Sequence, residues 1–268
     1  MKKPVFGSGW KMFMTDKEAV NYAQRLKENV CREEDAELFV LPSFTAVERV
    51  KAILADTDIN VGAQNMCWEE KGAFTGEVSV LSLKEMDIKY VEIGHSERRT
   101  LFGETNRTVN LKIRKALEVG LIPIFCMGEE LQEKEKNLTK ELLSTEIKNA
   151  LHEIPYAAAK KIIYAYEPVW AIGMENSARP DYAGEILGFI RELLKQLYGR
   201  SGDGAEFTVV YGGSVSPQNV EELMSKPDVD GVFVGRASLS IESYMEILNT
   251  VKDTWNKKVK RQRGEDKN

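Results

Sequence analysis

A regular alternation of short apolar runs with longer amphipathic runs is the feature of this sequence that most restricts its fold. Eight short runs, many of them rich in β-branched and aromatic residues, have the length of buried strands. These predicted strands are Val5–Gly9, Glu37–Leu41, Ile59–Ala63, Tyr90–Ile93, Ile122–Cys126, Ile162–Tyr166, Thr208–Tyr211 and Gly231–Val234. The segments between them that show helical periodicity include Lys17–Asn29, Arg107–Val119, Leu138–His152, Asp181–Tyr198, Pro217–Met224 and Ser243–Trp255. Such alternation predicts a parallel sheet with helical crossovers.

Eight strand-then-helix units in one chain of this length favour a closed barrel over an open sheet. The open doubly wound sheet is the alternative, but its commonest form carries Gly-x-Gly-x-x-Gly after the first strand, which this sequence lacks. The 268 residues, 43% of them apolar, can form one large core, and no linker, repeat or low-complexity tract divides them. We therefore predict an α/β fold, a single-domain (β/α)8 barrel over residues 1–257, with a charged and frayed tail over residues 258–268.

Charge and cysteine content exclude several classes of protein. The net charge of −5 argues against nucleic acid or an anionic membrane as a partner. No apolar stretch reaches the roughly 18 residues that a membrane-spanning helix needs, and the N-terminus lacks the apolar run of a signal peptide. Cys31, Cys67 and Cys126 are widely spaced, which fits a reducing cytoplasm better than a disulfide framework or a zinc site. With only His95 and His152 in the chain, a three-histidine metal site is impossible.

The end of the predicted sixth strand holds the most informative local segment. The apolar run Ile162–Tyr166 stops at Glu167, and Pro168 follows directly. Proline restricts the preceding residue to extended geometry and cannot continue a central strand, so Glu167 is expected at the mouth of the barrel, where a catalytic base would lie. The loop that follows starts apolar and reaches Gly173, a pattern that suits a hinged lid.

Two other strand ends carry charged or titratable groups. Lys11 follows the first strand and can supply a positive charge at the mouth, although a surface lysine on a loop is the simpler interpretation. His95 follows the fourth strand, where a helix is expected to begin, and the helix dipole there would favour the neutral imidazole. A capping or packed histidine is the alternative. Glu97 can pair with Lys11 across the mouth, or simply complement the helix dipole.

The seventh and eighth strands are followed by segments suited to an anion. Gly212 and Gly213 allow close approach of the backbone, and Ser214 adds a hydroxyl. The pair Ser216-Pro217 predicts the N-cap and first residue of the next helix. Barrels of this kind often bind phosphate between these two loops on backbone N–H groups, and Gly235 opens the second loop.

Seven segments, in order and at similar spacing, resemble the triosephosphate isomerase family over nearly the whole chain. They are Trp10-Lys11-Met12, Gly62-Ala63-Gln64-Asn65, Gly72-Ala73-Phe74-Thr75-Gly76-Glu77, Gly94-His95-Ser96-Glu97-Arg98-Arg99, Tyr166-Glu167-Pro168-Val169-Trp170-Ala171-Ile172-Gly173, Tyr211-Gly212-Gly213-Ser214 and Val234-Gly235. The resemblance implies a TIM barrel that isomerises a small sugar phosphate, with no metal and no organic cofactor.

The resemblance also implies roles for individual residues. Glu167 would abstract a proton beside the substrate carbonyl and return it to the neighbouring carbon. His95 would polarise the carbonyl as a neutral imidazole, Lys11 would supply positive charge, and Ser96 and Glu97 would support these groups. The backbone N–H groups that would hold the phosphate belong to Gly173, Ser214, Gly235 and Arg236.

A dimer loop and a lid are implied in the same way. Residues Asn65–Glu77 resemble the family's interdigitating loop, with Thr75 reaching the active site of the partner in a homodimer. Residues Pro168–Ala178 would close over the phosphate.

Three positions depart from the family pattern. The family usually has asparagine before Trp-Lys-Met, and its amide donates to the substrate, whereas this chain has Gly9, which we expect to leave empty volume beside the substrate. The lid tip usually reads Gly-Thr-Gly-Lys-Thr-Ala, whereas here Gly173 to Ala178 read Gly-Met-Glu-Asn-Ser-Ala. Arg236 stands where a second glycine is common, and we expect its side chain to point to solvent.

These departures leave three hypotheses open. The protein is an ordinary triosephosphate isomerase, an isomerase of a four-carbon ketose phosphate such as L-erythrulose 1-phosphate that uses the space beside Gly9, or a catalytically poor barrel that binds phospho-sugars. Retention of Lys11, His95 and Glu167 together argues against the third.

Overall fold

Eight parallel strands close into a barrel in which each strand pairs with its neighbours in chain order and the last strand pairs with the first. The computed structural model describes residues 2–30, 33–172, 177–200 and 204–262. The strands are β1 Val5–Gly9, β2 Glu37–Leu41, β3 Ile59–Ala63, β4 Tyr90–Ile93, β5 Ile122–Met127, β6 Ile163–Tyr166, β7 Thr208–Tyr211 and β8 Gly231–Val234. The predicted (β/α)8 barrel is confirmed, and each predicted strand boundary lies within one residue of the observed one.

Helices surround this barrel. In the described ranges they are α1 Asp16–Asn29, α2 Val47–Leu54, α3 Val80–Glu85, α4 Ser96–Phe102, α5 Asn106–Val119, α6 Leu131–Glu135, α7 Thr139–Ala150, α8 Tyr156–Ala159, α9 Pro180–Leu197, α10 Val220–Ser225 and α11 Ile241–Gln262, with 3-10 turns at Phe44–Ala46, Val169–Ala171 and Arg236–Leu239. Among the longer helices, α1 begins with a capping box between Thr15 and Glu18, and α5 begins with one between Thr105 and Thr108. The helices that the sequence did not predict have eight residues or fewer, too few turns for a periodic pattern.

Two sequence-based boundaries need correction. Ser216-Pro217 does not begin a helix, because α10 starts at Val220 and the Asn219 side chain accepts a hydrogen bond from the Ser216 N–H at 2.9 Å, which forms a turn instead. Residues 258–262 are helical rather than part of a frayed tail, since α11 continues to Gln262. The Lys258 ammonium donates to the Lys226 and Val229 carbonyl oxygens at 2.6 and 2.9 Å, which fastens the end of this helix to the loop before β8. Residues 263–268 of the predicted tail lie outside the described residues.

The alternation of side chains along each strand determines which residues face the interior of the barrel. Apolar side chains that fill the barrel interior come from alternate strand positions: Val5, Phe39, Leu41, Tyr90, Ile124, Cys126, Ile163, Ala165, Val210 and Phe233. The other set, such as Val91 and Ile93 of β4, packs outward in the larger core beneath the helices. By the same period of two, Glu92 shares the inward face of Tyr90, and Glu167 continues the inward face of Ala165.

The described helices include none that is long and apolar enough to cross a membrane. Cys67 and Cys126 are buried free thiols, and Cys31 falls outside the described residues.

Candidate active site

A cavity of about 490 Å³ opens at the carboxyl ends of the strands and brings together most of the residues singled out in the sequence. Its lining includes Gly9, Lys11, Glu92, His95, Glu97, Glu167, Ser214, Gly235 and Arg236. These residues come from β1, β4, β6, β7 and β8 or from the loops that follow them, which is where enzymes of this architecture place their chemistry.

Glu167 lies on the floor of the cavity, directly after β6. Its backbone N–H donates to the Met127 carbonyl oxygen at 2.8 Å, and the residue is only 2% exposed. Its Oε2 atom is buried without a hydrogen-bond partner among the described residues and lies 3.8 Å from Nε2 of His95. A buried carboxylate oxygen without a hydrogen-bond partner costs free energy of folding. Its presence here therefore fits a group that accepts a proton from a bound substrate.

Two glycines leave the space that Glu167 occupies. A β-carbon at Gly128 would lie 1.9 Å from the Glu167 carbonyl oxygen, and one at Gly212 would lie 2.7 Å from its Cγ atom. Both distances are far below van der Waals contact. Positions 128 and 212, which contact Glu167 from other strand ends, are therefore limited to glycine. The position of the Glu167 carboxylate depends on the absence of side chains there.

The substitution Gly212→Ala is expected to lower kcat by about tenfold, because the new methyl group displaces the Glu167 side chain from its place opposite His95. Steady-state kinetics would measure this effect. Gly188→Ala on helix α9 is the matched control: its β-carbon meets only the end of the Asp228 side chain, at 3.0 Å, and turnover should stay at the wild-type level. Equal turnover of both variants would show that Gly212 does not position the base.

Helix α4 begins at Ser96, directly after His95, as the sequence predicts. His95 is its N-cap, and the tautomer of the ring follows from that position. Its Nδ1 atom accepts the backbone N–H of Glu97 at 3.1 Å, so the proton of a neutral ring lies on Nε2, toward Glu167. Burial lowers the pKa of His95, but the facing carboxyls of Glu167 and Glu92 outweigh burial and raise it. A proton on Nδ1 would break the hydrogen bond to Glu97, and this opposes the imidazolium.

Glu92 is a cavity residue that the sequence analysis overlooked. It is 7% exposed, and burial, reinforced by the nearby Glu167 carboxylate and opposed by His95, raises its pKa to about 7. The available signal was its position: a carboxylate two residues after Tyr90 in an otherwise apolar strand must lie inside the barrel if Tyr90 does.

Among the described residues, Glu92, His95 and Glu167 also offer ligand atoms within 4.8 Å of one another, close enough to hold a metal ion. We assign none of the three as a metal ligand. Lys11 lines the same cavity, and its fixed positive charge opposes a cation there.

The predicted pair of Lys11 and Glu97 is confirmed. The Lys11 ammonium lies 2.7 Å from Oε1 of Glu97, across the mouth of the barrel. Lys11 has a φ of 48°, a left-handed conformation that is rare for a residue with a side chain. The Ser43 hydroxyl and the Gln64 amide donate to its carbonyl oxygen at 3.0 and 2.8 Å and hold this conformation in place. The backbone strain thus directs the ammonium into the cavity.

The opposite side of the cavity is formed by the loops after β7 and β8. The Ser214 hydroxyl donates to the Ala171 carbonyl oxygen at 2.5 Å, which ties this loop to the base of the lid segment. Gly235 caps the 3-10 turn Arg236–Leu239. The Arg236 side chain is exposed, with its guanidinium 5.7 Å from the centre of the Phe13 ring, in agreement with the predicted solvent orientation. Gly173 and the lid tip up to Asn176 lie outside the described residues.

Residues 4–251 match the family model described as triosephosphate isomerase. This chain belongs to the triosephosphate isomerase family. It is 44% identical over 248 residues to the triosephosphate isomerase of Carboxydothermus hydrogenoformans, covering 92% of this chain and 98% of that protein. It is 44% identical over 249 residues to that of Clostridium tetani, covering 93% and 97%, and 40% identical over 250 residues to that of Dictyoglomus turgidum, covering 93% and 100%.

Gly9 lies on the cavity wall of this triosephosphate isomerase family member. We expected empty space beside it, and this expectation is wrong. A β-carbon at Gly9 would lie 3.1 Å from Cζ of Phe233, an inward-facing residue of β8. The aromatic ring occupies the space directly beside Gly9 that we expected to be open. The neighbouring strand, which the local sequence around Gly9 does not specify, supplies this ring.

Ser96 and Thr75 do not line the cavity. Ser96 is the first residue of α4 and faces a second cavity of about 350 Å³, which Glu167 also lines. Thr75 lies in the exposed segment 69–77, away from the active site of its own chain. The Phe74 ring of this segment packs edge to face against the ring of Trp68, which directly precedes the segment, with the ring centres 6.1 Å apart.

Glu129 anchors the base of the lid, a role that the sequence did not predict. It is fully buried and accepts hydrogen bonds from the Tyr166 hydroxyl at 3.1 Å, the Trp170 indole N–H at 2.8 Å and the Tyr182 hydroxyl at 3.0 Å. The Lys134 ammonium lies 3.1 Å from the centre of the Trp170 ring. The donors come from β6, the lid segment and α9, so no local motif could have revealed this arrangement.

Proposed function

We propose that the protein interconverts dihydroxyacetone phosphate and D-glyceraldehyde 3-phosphate through an enediolate intermediate. The observation that most supports this proposal is the buried Glu167 carboxylate, which faces Nε2 of His95 at 3.8 Å in a cavity that Lys11 also lines. An aldose–ketose isomerase needs a base, an electrophile and a fixed positive charge around two adjacent carbon atoms, and these three residues can supply them. The relatives named triosephosphate isomerase support the same reaction.

Glu167 acts as the base. Its carboxylate removes a proton from C1 of dihydroxyacetone phosphate, the C–H electron pair forms the C1–C2 double bond, and the carbonyl oxygen on C2 takes the negative charge. The same carboxyl then returns the proton to C2, so that no net proton is gained or lost. A carboxylate oxygen that has no hydrogen-bond donor of its own is suited to this transfer.

His95 and Lys11 stabilise the intermediate. The Nε2–H of the neutral imidazole donates to the substrate oxygens and relays the hydroxyl proton between them, while Nδ1 stays fixed on the backbone N–H of Glu97. Lys11 supplies positive charge to the developing oxyanion, and its partner Glu97 orients the ammonium.

The phosphate group is held by the loops after β7 and β8. Backbone N–H groups of Ser214, Gly235 and Arg236, together with Gly173 of the lid, bind it. The 3-10 turn Arg236–Leu239 begins at the cavity wall, and the free N–H groups at the start of such a turn suit an anion.

We further infer that the active form is a homodimer in the cytoplasm. Large apolar side chains are exposed on the loops at the active end of the barrel and on α4: Met12, Phe13, Phe44, Phe74, Leu101 and Phe102. Exposed apolar side chains of this size suit an interface, and the exposed segment 69–77, which includes Thr75, follows β3 at the active end of the barrel. Two buried thiols, Cys67 and Cys126, agree with a reducing compartment.

Phe102→Asp is expected to weaken dimerisation by about a hundredfold, because it places a charge in an apolar interface. Light scattering after gel filtration measures the change in mass. Leu131→Asp is the matched control. Leu131 is also an exposed apolar residue on a helix, but it lies on α6, outside the loops and helix named above. A dimer that survives Phe102→Asp, or dissociates equally with Leu131→Asp, would contradict this interface.

A side-by-side steady-state assay on dihydroxyacetone phosphate and L-erythrulose 1-phosphate tests the proposed reaction. We expect kcat/KM to be far higher on the triose, because Phe233 occupies the volume beside Gly9. A preference for the four-carbon substrate would replace the proposal with tetrulose isomerisation. Turnover of neither substrate, with retained binding of inorganic phosphate, would favour a binding barrel.

A further inference from the structure

Glu92 is the buried titratable residue of the cavity that the mechanism above leaves without a role. We propose that Glu92 contacts the substrate and donates a hydrogen bond from its protonated carboxyl to an oxygen atom on one of the two reacting carbons. This inference rests on the proposed function, since it assigns a further group to the same reaction.

The geometry places Glu92 at the reacting centre. It is the last inward-facing residue of β4, it lines the same cavity as Lys11 and Glu167, and its ligand atoms lie within 4.8 Å of those of His95 and Glu167. In the described ranges its side chain makes no ion pair, and its one hydrogen-bond neighbour is the Cys126 thiol, with Sγ 3.9 Å from Oε1. A thiol is a weak donor, so the carboxyl remains available to a ligand.

The groups that face Glu92 explain why its carboxyl holds a proton. Glu167 and Glu97 add negative charge near Glu92 and raise its pKa. Lys11, and His95 when it is protonated, add positive charge and lower that pKa. Burial dominates and raises the pKa of Glu92 to about 7. Burial also raises the pKa of the Cys126 thiol, which therefore stays neutral. At and below about pH 7 the site can thus hold a protonated carboxyl, Glu92, beside the Glu167 carboxyl.

At Gly9 the cavity wall offers no side-chain donor. Gly9 has no side chain, and the space beside it holds the apolar ring of Phe233. A protonated Glu92 supplies a directed hydrogen bond to the oxygen that gains negative charge during enolisation. No proton needs to be transferred, because the hydrogen bond alone stabilises that charge.

This role has a pH dependence of defined sign. Once Glu92 ionises, the site loses a donor and gains a negative charge next to Glu167 and the enediolate. The kcat/KM of the wild type is therefore expected to fall as pH rises above about 7. The substrate phosphate, with a second pKa near 6, is already ionised over that range and does not contribute to the decline.

Glu92→Leu and Glu92→Gln separate this role from packing. With dihydroxyacetone phosphate at pH 6.5, Glu92→Leu should lower kcat/KM by at least about tenfold, because a hydrogen bond to a charged oxygen is lost. Glu92→Gln keeps a donor in its amide group, so it should retain most of the activity and lose the decline above pH 7. Glu48→Gln, at an exposed position of α2, is the control and should keep the wild-type profile.

Thermal unfolding of Glu92→Gln provides a second readout, which also covers the case in which Glu92→Leu fails to fold. The folded pKa of Glu92 is raised above its unfolded value, so ionisation costs the wild type stability as pH rises from about 4.5 to about 7. Glutamine carries no such cost. The difference in Tm between Glu92→Gln and wild type should therefore grow from pH 5 to pH 8.

The outcomes are distinguishable. A wild type without activity on the triose would contradict the proposed function itself. An active wild type whose kcat/KM is unchanged by Glu92→Leu, or whose alkaline decline persists in Glu92→Gln, would overturn the role of Glu92. A Tm difference that stays constant with pH would overturn it as well, since Glu92 would then be ionised throughout.

Discussion

Glu167→Asp is expected to lower kcat by about a hundredfold with little change in the free energy of unfolding. The substitution keeps the carboxylate but shortens the side chain by one methylene group, and an error of about 1 Å in the position of a base can cost that much. The backbone cannot move to compensate, because the carbonyl oxygen of Glu167 packs against Gly128 and its N–H is bonded to Met127. Stability should change little because Oε2 has no hydrogen-bond partner to lose in the described part of the chain.

Steady-state kinetics and thermal unfolding together check this result. Glu185→Asp is the control, since Glu185 lies on α9 and pairs with Lys140 on the outer surface of the barrel. It should keep the wild-type kcat. If Glu167→Asp turned over substrate at close to the wild-type rate, Glu167 would not be the base and the proposed mechanism would fail.

Lys11→Met is expected to lower kcat/KM by about a hundredfold to a thousandfold. The loss of one preorganised electrostatic group at the site of a developing oxyanion has this magnitude. The Glu97 carboxylate, 2.7 Å from the ammonium in the wild type, would remain as an unpaired negative charge facing an anionic substrate. Methionine preserves most of the length and apolar stem of lysine, so that the change acts mainly on charge.

Two further variants separate charge from position. Lys11→Arg restores the charge with a larger head group and should recover part of kcat/KM. Glu97→Gln keeps the ammonium but weakens its orientation, so it should lower activity less than Lys11→Met does. Full activity of Lys11→Met would mean that the phosphate loops alone supply the attraction for the substrate.

The barrel itself could be predicted from local sequence because each strand is short, apolar and followed by a helix. Proline and glycine mark where strands must end, and this placed Glu167 and His95 correctly at the end of β6 and at the start of α4. The short helices α2, α3, α6 and α8 escaped prediction because each has eight residues or fewer, too few turns for a periodic pattern. The end of α11 shows a second limit, since contacts of Lys258 with the loop before β8 keep α11 helical in a segment whose composition resembles a tail.

The sequence by itself predicted the barrel and placed Lys11, His95 and Glu167 after the ends of strands, and it offered the pairing of Lys11 with Glu97 as one of two interpretations. Only the tertiary structure decided what surrounds them. Phe233 fills the space beside Gly9, and Glu129 gathers donors from three distant segments. Glu92 enters the site from β4, and its protonation depends on burial beside Glu167. These features arise from groups far apart in the chain that meet at one end of the barrel, where burial and close charges set their chemistry.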